Sequence, residues 1–366
     1  MRSVATAGGK VGFDWKNPFG GSAPTAPASP QQVPKDGNVK NEKVGILFLN
    51  LGGPEKLSEV EDFLFNLFND PDIIRLPSPL QPLQAVIARK IASGRAPGSM
   101  EAYESIGGGS PIVKLTVDQG EKLEQELKRR GVDSKMYIGM RYWYPFTEEA
   151  VDQIMKDGIT RLVVLPLYPQ YSISTSGSSL RLLNQMIKDS PDMWDPRKID
   201  HTVVPDWFDH PGYIKTQAKL IRNELAEFKG RPEEVKVMFS AHGVPVSYVE
   251  AGDPYKGQIE ECAELIMQKV NEGQQDQFDY KLCFQSRVGP VKWLEPYTDD
   301  VLNQLGADGL KNIVVVPLSF VSEHVETLEE IDQVRDCKCP RCNVRLLRRS
   351  VRDVWIASGS SCSNLC

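Results

Sequence analysis

The feature that most constrains the fold of this chain is an internal repeat. Residues 145–167, PFTEEAVDQIMKDGITRLVVLPL, align without a gap on residues 296–318, PYTDDVLNQLGADGLKNIVVVPL, and nine of the 23 pairs are identical. Each copy begins with an amphipathic stretch and ends in an aliphatic, β-branched run, which predicts a helix followed by a buried strand. A unit of this length that occurs twice indicates two similar α/β halves.

Short apolar runs along the rest of the body predict further strands. Their hydrophobicity is continuous rather than alternating, which is typical of parallel sheets covered by helices on both faces. The predicted strands are 44–51, 136–143, 161–169, 236–242, 281–286 and 312–321. Amphipathic segments predict helices at 115–130, 147–157, 177–188, 211–228 and 257–271. The predicted fold class is therefore α/β, with two halves that each contain a parallel sheet and with a cleft between them.

Changes in composition divide the chain into four parts. Residues 1–43 are rich in Gly, Pro, Ala and Ser, which predicts either a transit-peptide remnant or a plain disordered linker. The first half is predicted at 44–205 and the second at 206–332. Residues 333–366 carry a net charge of +5, whereas the whole chain carries −6, and they contain five of the seven cysteines. This segment is predicted to be a basic, disordered tail.

Composition also limits what the chain binds. A net charge of −6 argues against a nucleic-acid partner, because phosphate neutralisation needs a basic face. The sequence contains no run of eighteen apolar residues, so any membrane contact is expected to be peripheral. Cys337, Cys339 and Cys342 resemble part of a zinc or iron–sulfur site, but a single trio without a second pair is a weak signal. We therefore expect no iron–sulfur cluster.

Special residues follow the predicted strands, where ligands bind in parallel sheets. The glycines in NLGGP, 50–54, permit a phosphate-binding turn, although no complete GxGxxG motif follows. The IGGGSP segment, 106–111, is either a loop that approaches a ligand or a tight structural turn.

Histidine is scarce, and two of the four histidines follow core strands. His242 ends a strand that we assign to one half, and His324 follows a strand that we assign to the other, so the two are predicted to face each other across the cleft. Imidazole opposite carboxylates suits a first-row divalent metal and provides a base near a proton sink. The alternatives are a hydrogen-bonded structural histidine and a solvated acidic helix face. The acids near His324 are Glu323, Glu326, Glu329 and Glu330.

Seven segments together carry a resemblance to a known family. They are FLNLGGP, SIGGGSPI, RYWYPFTEEA, LPLYPQYSISTSGSS, VMFSAHGVPVSYVEAGDPY, CFQSRVGPVKWLEP and PLSFVSEHVETLEEID. In this order, from about Val44 to Asp332, the chain resembles the ferrochelatases, and most closely the plant and cyanobacterial type. The resemblance implies two Rossmann-like, chelatase-like halves and insertion of ferrous iron into protoporphyrin IX, which yields protohaem, the last step of haem biosynthesis.

The resemblance also implies roles for individual residues. His242 matches the family's cleft histidine and Glu326 its acidic partner across the macrocycle, so both are assigned to catalysis and metal contact, and His210 is a further catalytic candidate. Glu323, His324, Glu329 and Glu330 form a possible proton or metal relay. The implied porphyrin-binding residues are Leu51, Arg95, Tyr103, Ser110, Arg141, Tyr142 and Trp293.

The implied partners are protoporphyrin IX and ferrous iron as substrates, with no prosthetic group. Residues 75–97 are similar to the family's active-site lip, which implies peripheral membrane contact, and an amphipathic core helix is the alternative. The implied location is the plastid, either stromal or peripheral to a membrane, as a monomer or homodimer. After Asp332 the resemblance ends, and a helix, a strand and a terminal helix that would complete the first half are expected to be missing.

Two other functions remain open on the sequence alone. One is a cobalt- or nickel-type chelatase that acts on a different tetrapyrrole. The other is a porphyrin-binding protein or truncated isoform without turnover, which the unusual tail favours.

Overall fold

The computed structural model of the chain describes residues 42–330 and 343–346, apart from residues 75, 193, 196, 229–233, 276, 288 and 290. The statements below concern these residues. The predictions for residues 1–41 and for the tail cysteines lie outside them.

The first half contains four strands and five α-helices within the described residues. The strands are β1 Val44–Asn50, β2 Ser134–Met140, β3 Arg161–Pro166 and β4 Asp200–Val203. The helices are α1 Val60–Phe68, α2 Gln84–Ser105, α3 Ile112–Arg129, α4 Thr147–Asp157 and α5 Ser176–Asp189.

The second half has the same kind of construction. Its strands are β5 Val235–His242, β6 Asp279–Gln285, β7 Asn312–Pro317 and β8 Asn343–Leu346. Its helices are α6 Pro211–Ala226, α7 Val246–Glu250, α8 Tyr255–Asn271 and α9 Thr298–Ala307.

Each half contains one parallel sheet, and the two sheets have the same topology. The strand orders are β2-β1-β3-β4 and β6-β5-β7-β8, and every strand pair is parallel. The central strands β1 and β5 are buried along nearly their whole length. Burial of both faces explains why their sequences are mostly apolar and do not alternate strictly with polar residues. The predicted α/β class with two similar halves is confirmed.

The sequence repeat is also a structural repeat. Helix α4 and strand β3 of the first half correspond to α9 and β7 of the second, and the two strands start at the equivalent residues Arg161 and Asn312. The peptide bonds Tyr144–Pro145 and Glu295–Pro296, which precede the two copies, are both cis.

The two halves share a core. One hydrophobic cluster combines residues of the first sheet with the covering helices and central strands of the second half, so the seam between the halves is packed rather than hydrated. Its first-half members include Ile46, Phe48 and Leu167, and its second-half members include Ile221, Phe239, Ile259 and Val316. This packing fixes the carboxyl edges of both sheets relative to each other.

The expectation of a disordered tail is wrong for residues 343–346. They form β8, which pairs in parallel with β7, from Asn312 opposite Asn343 to Val315 opposite Leu346. The strand extends the second sheet. The prediction that the elements after Asp332 would belong to the first half is therefore wrong for β8. The four residues NVRL are too few to show a periodic pattern, so the sequence does not predict this strand. It is recognised only by its pairing with the edge of β7.

Candidate active site

The carboxyl edge of the second sheet brings His242 and Glu326 into direct contact. His242 is the last residue of β5, and Glu326 opens a wide helical turn of the π type, Glu326–Glu330, that follows β7. His242 Nδ1 and Glu326 Oε2 lie 2.8 Å apart. Turns of this type occur often at functional sites.

This contact corrects the predicted arrangement across the cleft. Strands β5 and β7 are neighbours in one sheet, so the residues that follow them meet at the same edge. A separation of 2.8 Å leaves no space for a flat ring between the two side chains. The two side chains therefore lie on the same side of the predicted cleft and not on opposite sides.

Glu326 is held as a carboxylate. Burial raises its pKa, but the electrostatic interaction with His242 and the hydrogen bond to its imidazole outweigh this effect, and the pKa of Glu326 lies well below its ordinary value. Ser286 Oγ also lies within 3.4 Å of Oε2. Ser286 has a φ of 64°, an unusual backbone conformation for a residue other than glycine, at the end of β6.

His324 supports the turn that carries Glu326. Its Nδ1 accepts a hydrogen bond from the Glu326 backbone N–H at 3.2 Å, and its own N–H donates to Thr327 Oγ1 at 3.0 Å. Burial lowers the pKa of His324 despite the nearby carboxylates of Glu326 and Glu323. A buried neutral imidazole that packs on Phe320 at 4.1 Å between ring centroids is well placed to shape the turn. The side chains of Glu329 and Glu330, predicted as relay members, lie outside the described residues.

Apolar residues of the first half lie close to the His242–Glu326 pair. Leu51 and Tyr103 belong to or pack on a cluster formed by α1, α2 and the residues after β2, and Val325, next to Glu326, packs on the same cluster. Tyr103 is buried, and burial together with the negative charge of Glu326 raises the pKa of its phenol. These contacts place two of the predicted porphyrin-binding residues close to the His242–Glu326 pair.

Arg141 and Tyr142 lie in a buried polar network that the sequence did not predict. Asp70 accepts hydrogen bonds from Arg141 Nη2 at 2.9 Å, from Tyr142 Oη at 2.8 Å and from Ser178 Oγ at 2.5 Å. Tyr142 is 1% exposed, so its ring packs inside the first half, whereas the Arg141 side chain is partly exposed. The network ties the segment after α1 to the end of β2 and the start of α5.

We expect Asp70→Asn to lower the free energy of unfolding by about 3 kcal/mol at pH 7, because the Arg141 charge loses its carboxylate in a buried site. Burial raises the pKa of Asp70, but the hydrogen bond from Ser178 and the charge of Arg141 lower it by more than burial raises it. The net pKa therefore lies below the ordinary 3.8. A carboxyl group whose pKa is lower in the folded than in the unfolded chain stabilises the fold at pH values above its ordinary pKa. This stabilisation is lost as the pH falls through the folded-state pKa. Urea denaturation at several pH values measures it.

Asp152→Asn, on the exposed face of α4, is the matched control and should change stability by less than about 0.5 kcal/mol. An Asp70→Asn deficit that stays constant from pH 7 to pH 3 would contradict this electrostatic explanation.

The two glycine-rich segments pack on each other. A Cβ on Gly53 would lie 2.7 Å from Ser110 Cβ, and a Cβ on Gly109 would lie 2.2 Å from the carbonyl oxygen of Glu55. The Ser110 N–H donates to the Pro54 carbonyl at 2.7 Å. The glycines thus allow two backbone segments to meet, which favours the turn interpretation over a phosphate-binding loop.

The remaining predicted site residues are distributed as follows. His210 caps α6, since its Nδ1 accepts a hydrogen bond from the Gly212 N–H at 3.2 Å, which indicates a structural contribution. Trp293 lies beside the active-site strand, because a Cβ on Gly243 would meet its ring at 3.3 Å. Arg95 is exposed on α2, with its guanidinium 5.7 Å from the Phe68 ring centroid.

The predicted lip, 75–97, forms a short 3₁₀ helix, Ser78–Leu83, and the first part of α2. One of its faces is buried through Ala88, Ala92 and Ala96. Leu80, Leu83 and Val86 lie outside this buried face, and 42%, 47% and 68% of their surfaces are exposed to solvent. Within the described part of the chain, no helix combines the length and apolar character needed to cross a bilayer.

Comparison with known proteins identifies the family. The sequence profile of the family described as Ferrochelatase matches residues 43–350, most of the chain. This chain belongs to the ferrochelatase family. The match continues beyond Asp332, where the sequence analysis expected the resemblance to end, and it includes β8.

Individual ferrochelatases are similar over most of the chain. Ferrochelatase-2, chloroplastic, from Arabidopsis thaliana is 56% identical over 291 residues, which cover 79% of this chain and 56% of that relative. Ferrochelatase-1, chloroplastic/mitochondrial, from the same plant is 55% identical, with coverage of 80% and 62%. The ferrochelatase of Nostoc sp. is 54% identical, with coverage of 79% and 72%. The chain thus spans about 56–62% of the length of these two plant ferrochelatases.

A solved structure of SirB from Bacillus subtilis, with Fe3+, aligns with a TM-score of 0.46 and 14% identity, covering 87% of this chain and 91% of that chain.

Among the described residues of this ferrochelatase family member, no group of three or more His, Cys, Asp or Glu side chains gathers in a metal-binding arrangement. His242 and Glu326 therefore supply one nitrogen and one carboxylate.

Proposed function

We propose that this chain inserts ferrous iron into protoporphyrin IX and releases protohaem and two protons. The observation that carries the proposal is the His242–Glu326 contact at 2.8 Å beside an apolar wall. Membership of the ferrochelatase family, with 54–56% identity to plant and cyanobacterial ferrochelatases, supports it. Iron is a substrate in this reaction, and the proposal requires no prosthetic group.

His242 is the proposed proton acceptor and first metal contact. Glu326 is ionised, so its Oε2 accepts a hydrogen bond from the Nδ1–H of His242, and in the neutral imidazole the lone pair then lies on Nε2. That lone pair can accept a pyrrole N–H proton or bind the metal in transit. Iron insertion breaks two N–H bonds and forms iron–nitrogen bonds, so the site must remove two protons in each turnover.

The ring is proposed to lie between the His242–Glu326 pair and the first-half wall of Leu51 and Tyr103. A flat apolar ligand requires apolar and aromatic surfaces on its faces, and Trp293 beside Gly243 adds to them. Arg95 and Ser110 are the proposed partners of the propionates, because a guanidinium pairs well with carboxylates. Tight contact at the ring edge also provides energy to bend the macrocycle toward the metal.

The acids after β7 are the proposed exit for protons. Glu323 lies close enough to His324 to influence its pKa, and Glu329 and Glu330 follow in the same turn. We also propose plastid localisation, because the plant relatives carry chloroplastic names, and peripheral membrane contact through the exposed apolar face of 78–86. Monomeric and homodimeric states are both compatible with this proposal.

An anaerobic assay with ferrous iron and protoporphyrin IX tests the function. Haem formation, followed by the shift of the porphyrin absorption bands, is the expected result. Preference for cobalt or nickel, or for another tetrapyrrole, would contradict the proposal in favour of a related chelatase. Porphyrin binding without any metal insertion would contradict it in favour of a non-catalytic binding protein.

A further inference from the structure

Two buried hydroxyl groups hold the backbone of His242. Tyr255 Oη donates to the His242 carbonyl at 2.8 Å, and the His242 N–H donates to Ser319 Oγ at 2.9 Å. The two hydroxyl oxygens lie 2.7 Å apart. Because Tyr255 gives its proton to the carbonyl, Ser319 must give its own proton to Tyr255. The three residues therefore form a closed cycle of hydrogen bonds that satisfies both backbone groups of His242.

The end of the strand ladder explains why His242 needs these partners. The last pair between β5 and β7 is Ser240 with Pro317, and proline has no backbone N–H. The Leu318 N–H still reaches the Ser240 carbonyl at 3.0 Å, and beyond this point the two strands separate. His242 lies just beyond the last pair of this ladder, where β7 no longer supplies backbone hydrogen-bond partners. The hydroxyls of Ser319 and Tyr255 take the place of these partners.

The same tyrosine connects His242 to the first half. The Tyr255 N–H donates to Asp253 Oδ1 at 3.0 Å, and Asp253 Oδ2 accepts from Ser172 Oγ at 2.8 Å and from the Ile173 N–H at 2.9 Å. Ser172 and Ile173 belong to the segment after β3. Asp253 is 3% exposed, so this connection is buried. Two residues thus join the segment after β3 to the backbone of the proposed proton acceptor.

We propose that Tyr255 and Ser319 are positioning residues for metal insertion. They act through His242: by fixing both of its backbone groups they hold the imidazole against Glu326 and direct Nε2 toward the ring. This inference rests on the proposed function, and it adds two residues that neither touch iron nor reach the ring. Small errors in the position of a reacting group reduce turnover strongly while leaving remote binding contacts intact.

The test uses the full chain and variants that remove single oxygen atoms. Tyr255→Phe and Ser319→Ala should each lower kcat about tenfold, with the KM for protoporphyrin changed by less than about twofold. The double variant should lose no more than either single variant, because either change opens the cycle. Ser319→Thr retains a hydroxyl and should restore most of the activity.

Tyr137→Phe is the matched control. Tyr137 is also a buried tyrosine, it lies on β2, and its hydroxyl donates at 2.7 Å to Asp157, the last residue of α4. This variant should leave kcat unchanged. Hydrogen exchange of the His242 amide gives a second readout, which should be at least tenfold faster in Tyr255→Phe and Ser319→Ala than in the wild type.

Wild-type kcat in Tyr255→Phe, additive losses in the double variant, or an unchanged His242 exchange rate would each overturn the positioning proposal. Failure of the proposed function has a different signature, because the wild-type chain itself would then form no haem. In that case the exchange measurement alone decides whether the two hydroxyls hold His242.

Discussion

His242→Ala is expected to lower kcat for haem formation by about 10³-fold, because the variant loses the proposed acceptor of the pyrrole protons. The affinity for protoporphyrin should change by less than about threefold, since the apolar wall of Leu51 and Tyr103 lies in the first half and remains intact. Anaerobic turnover gives the first quantity, and quenching of tryptophan fluorescence by the porphyrin gives the second.

His201→Ala is the control for this change. His201 lies on β4, with its ring 5.7 Å from the Trp194 ring, and it belongs to no part of the proposed site. Its removal should leave kcat and porphyrin affinity unchanged. Full activity in His242→Ala would contradict the assignment, and so would an equal loss in both variants.

Glu326→Gln should lower kcat about 100-fold, a smaller loss than that of His242→Ala. Glutamine retains the shape and one acceptor oxygen, so the imidazole can keep a hydrogen bond, but the negative charge that stabilises protonated His242 is lost. The same change removes the negative charge of a proposed metal contact, so the KM for ferrous iron should rise. Steady-state assays at varied iron and at saturating porphyrin separate the two effects.

Glu260→Gln on α8 is the matched control for Glu326→Gln. Glu260 is exposed and pairs with Lys256 at 3.6 Å, an ion pair that contributes little in water. Its kinetics should equal those of the wild type. A Glu326→Gln variant with unchanged kcat and unchanged KM for iron would show that the carboxylate is dispensable.

The sequence predicted the architecture well where the physical signal is local. The run at 44–51 is apolar except for Asn50 because β1 is buried on both faces, and β1 appears at Val44–Asn50. The repeat at 145–167 and 296–318 identified two equivalent helix–strand units. The edge strands β4 and β8 were missed because each has only four residues, too few for a periodic pattern.

The site was predicted as a set of residues but not as an arrangement. His242 and Glu326 were both named as candidates, but they were assigned to opposite sides of the cleft. The apolar runs predict the strands and do not predict which strands are neighbours in a sheet. The network around Asp70 was missed for a related reason: its partner Ser178 is 108 residues away in the chain. Hydrogen bonds between such distant residues depend on the tertiary packing that brings strand ends together.

Tyr255 and Ser319 illustrate the same limit. Both lie in segments that the sequence analysis singled out, VMFSAHGVPVSYVEAGDPY and PLSFVSEHVETLEEID, but nothing in either segment indicates that their hydroxyls meet behind His242. The contact exists because β5 and β7 are neighbours and α8 returns to the end of β5.

A crystal structure of the chain with protoporphyrin IX bound would show directly where the ring lies. We expect one ring with Leu51 and Tyr103 on one face and with His242 Nε2 directed at the ring centre from the other. Glu326 should remain on the His242 side, within hydrogen-bonding distance of Nδ1. A porphyrin bound elsewhere, or one that separates His242 from Glu326, would contradict this expectation.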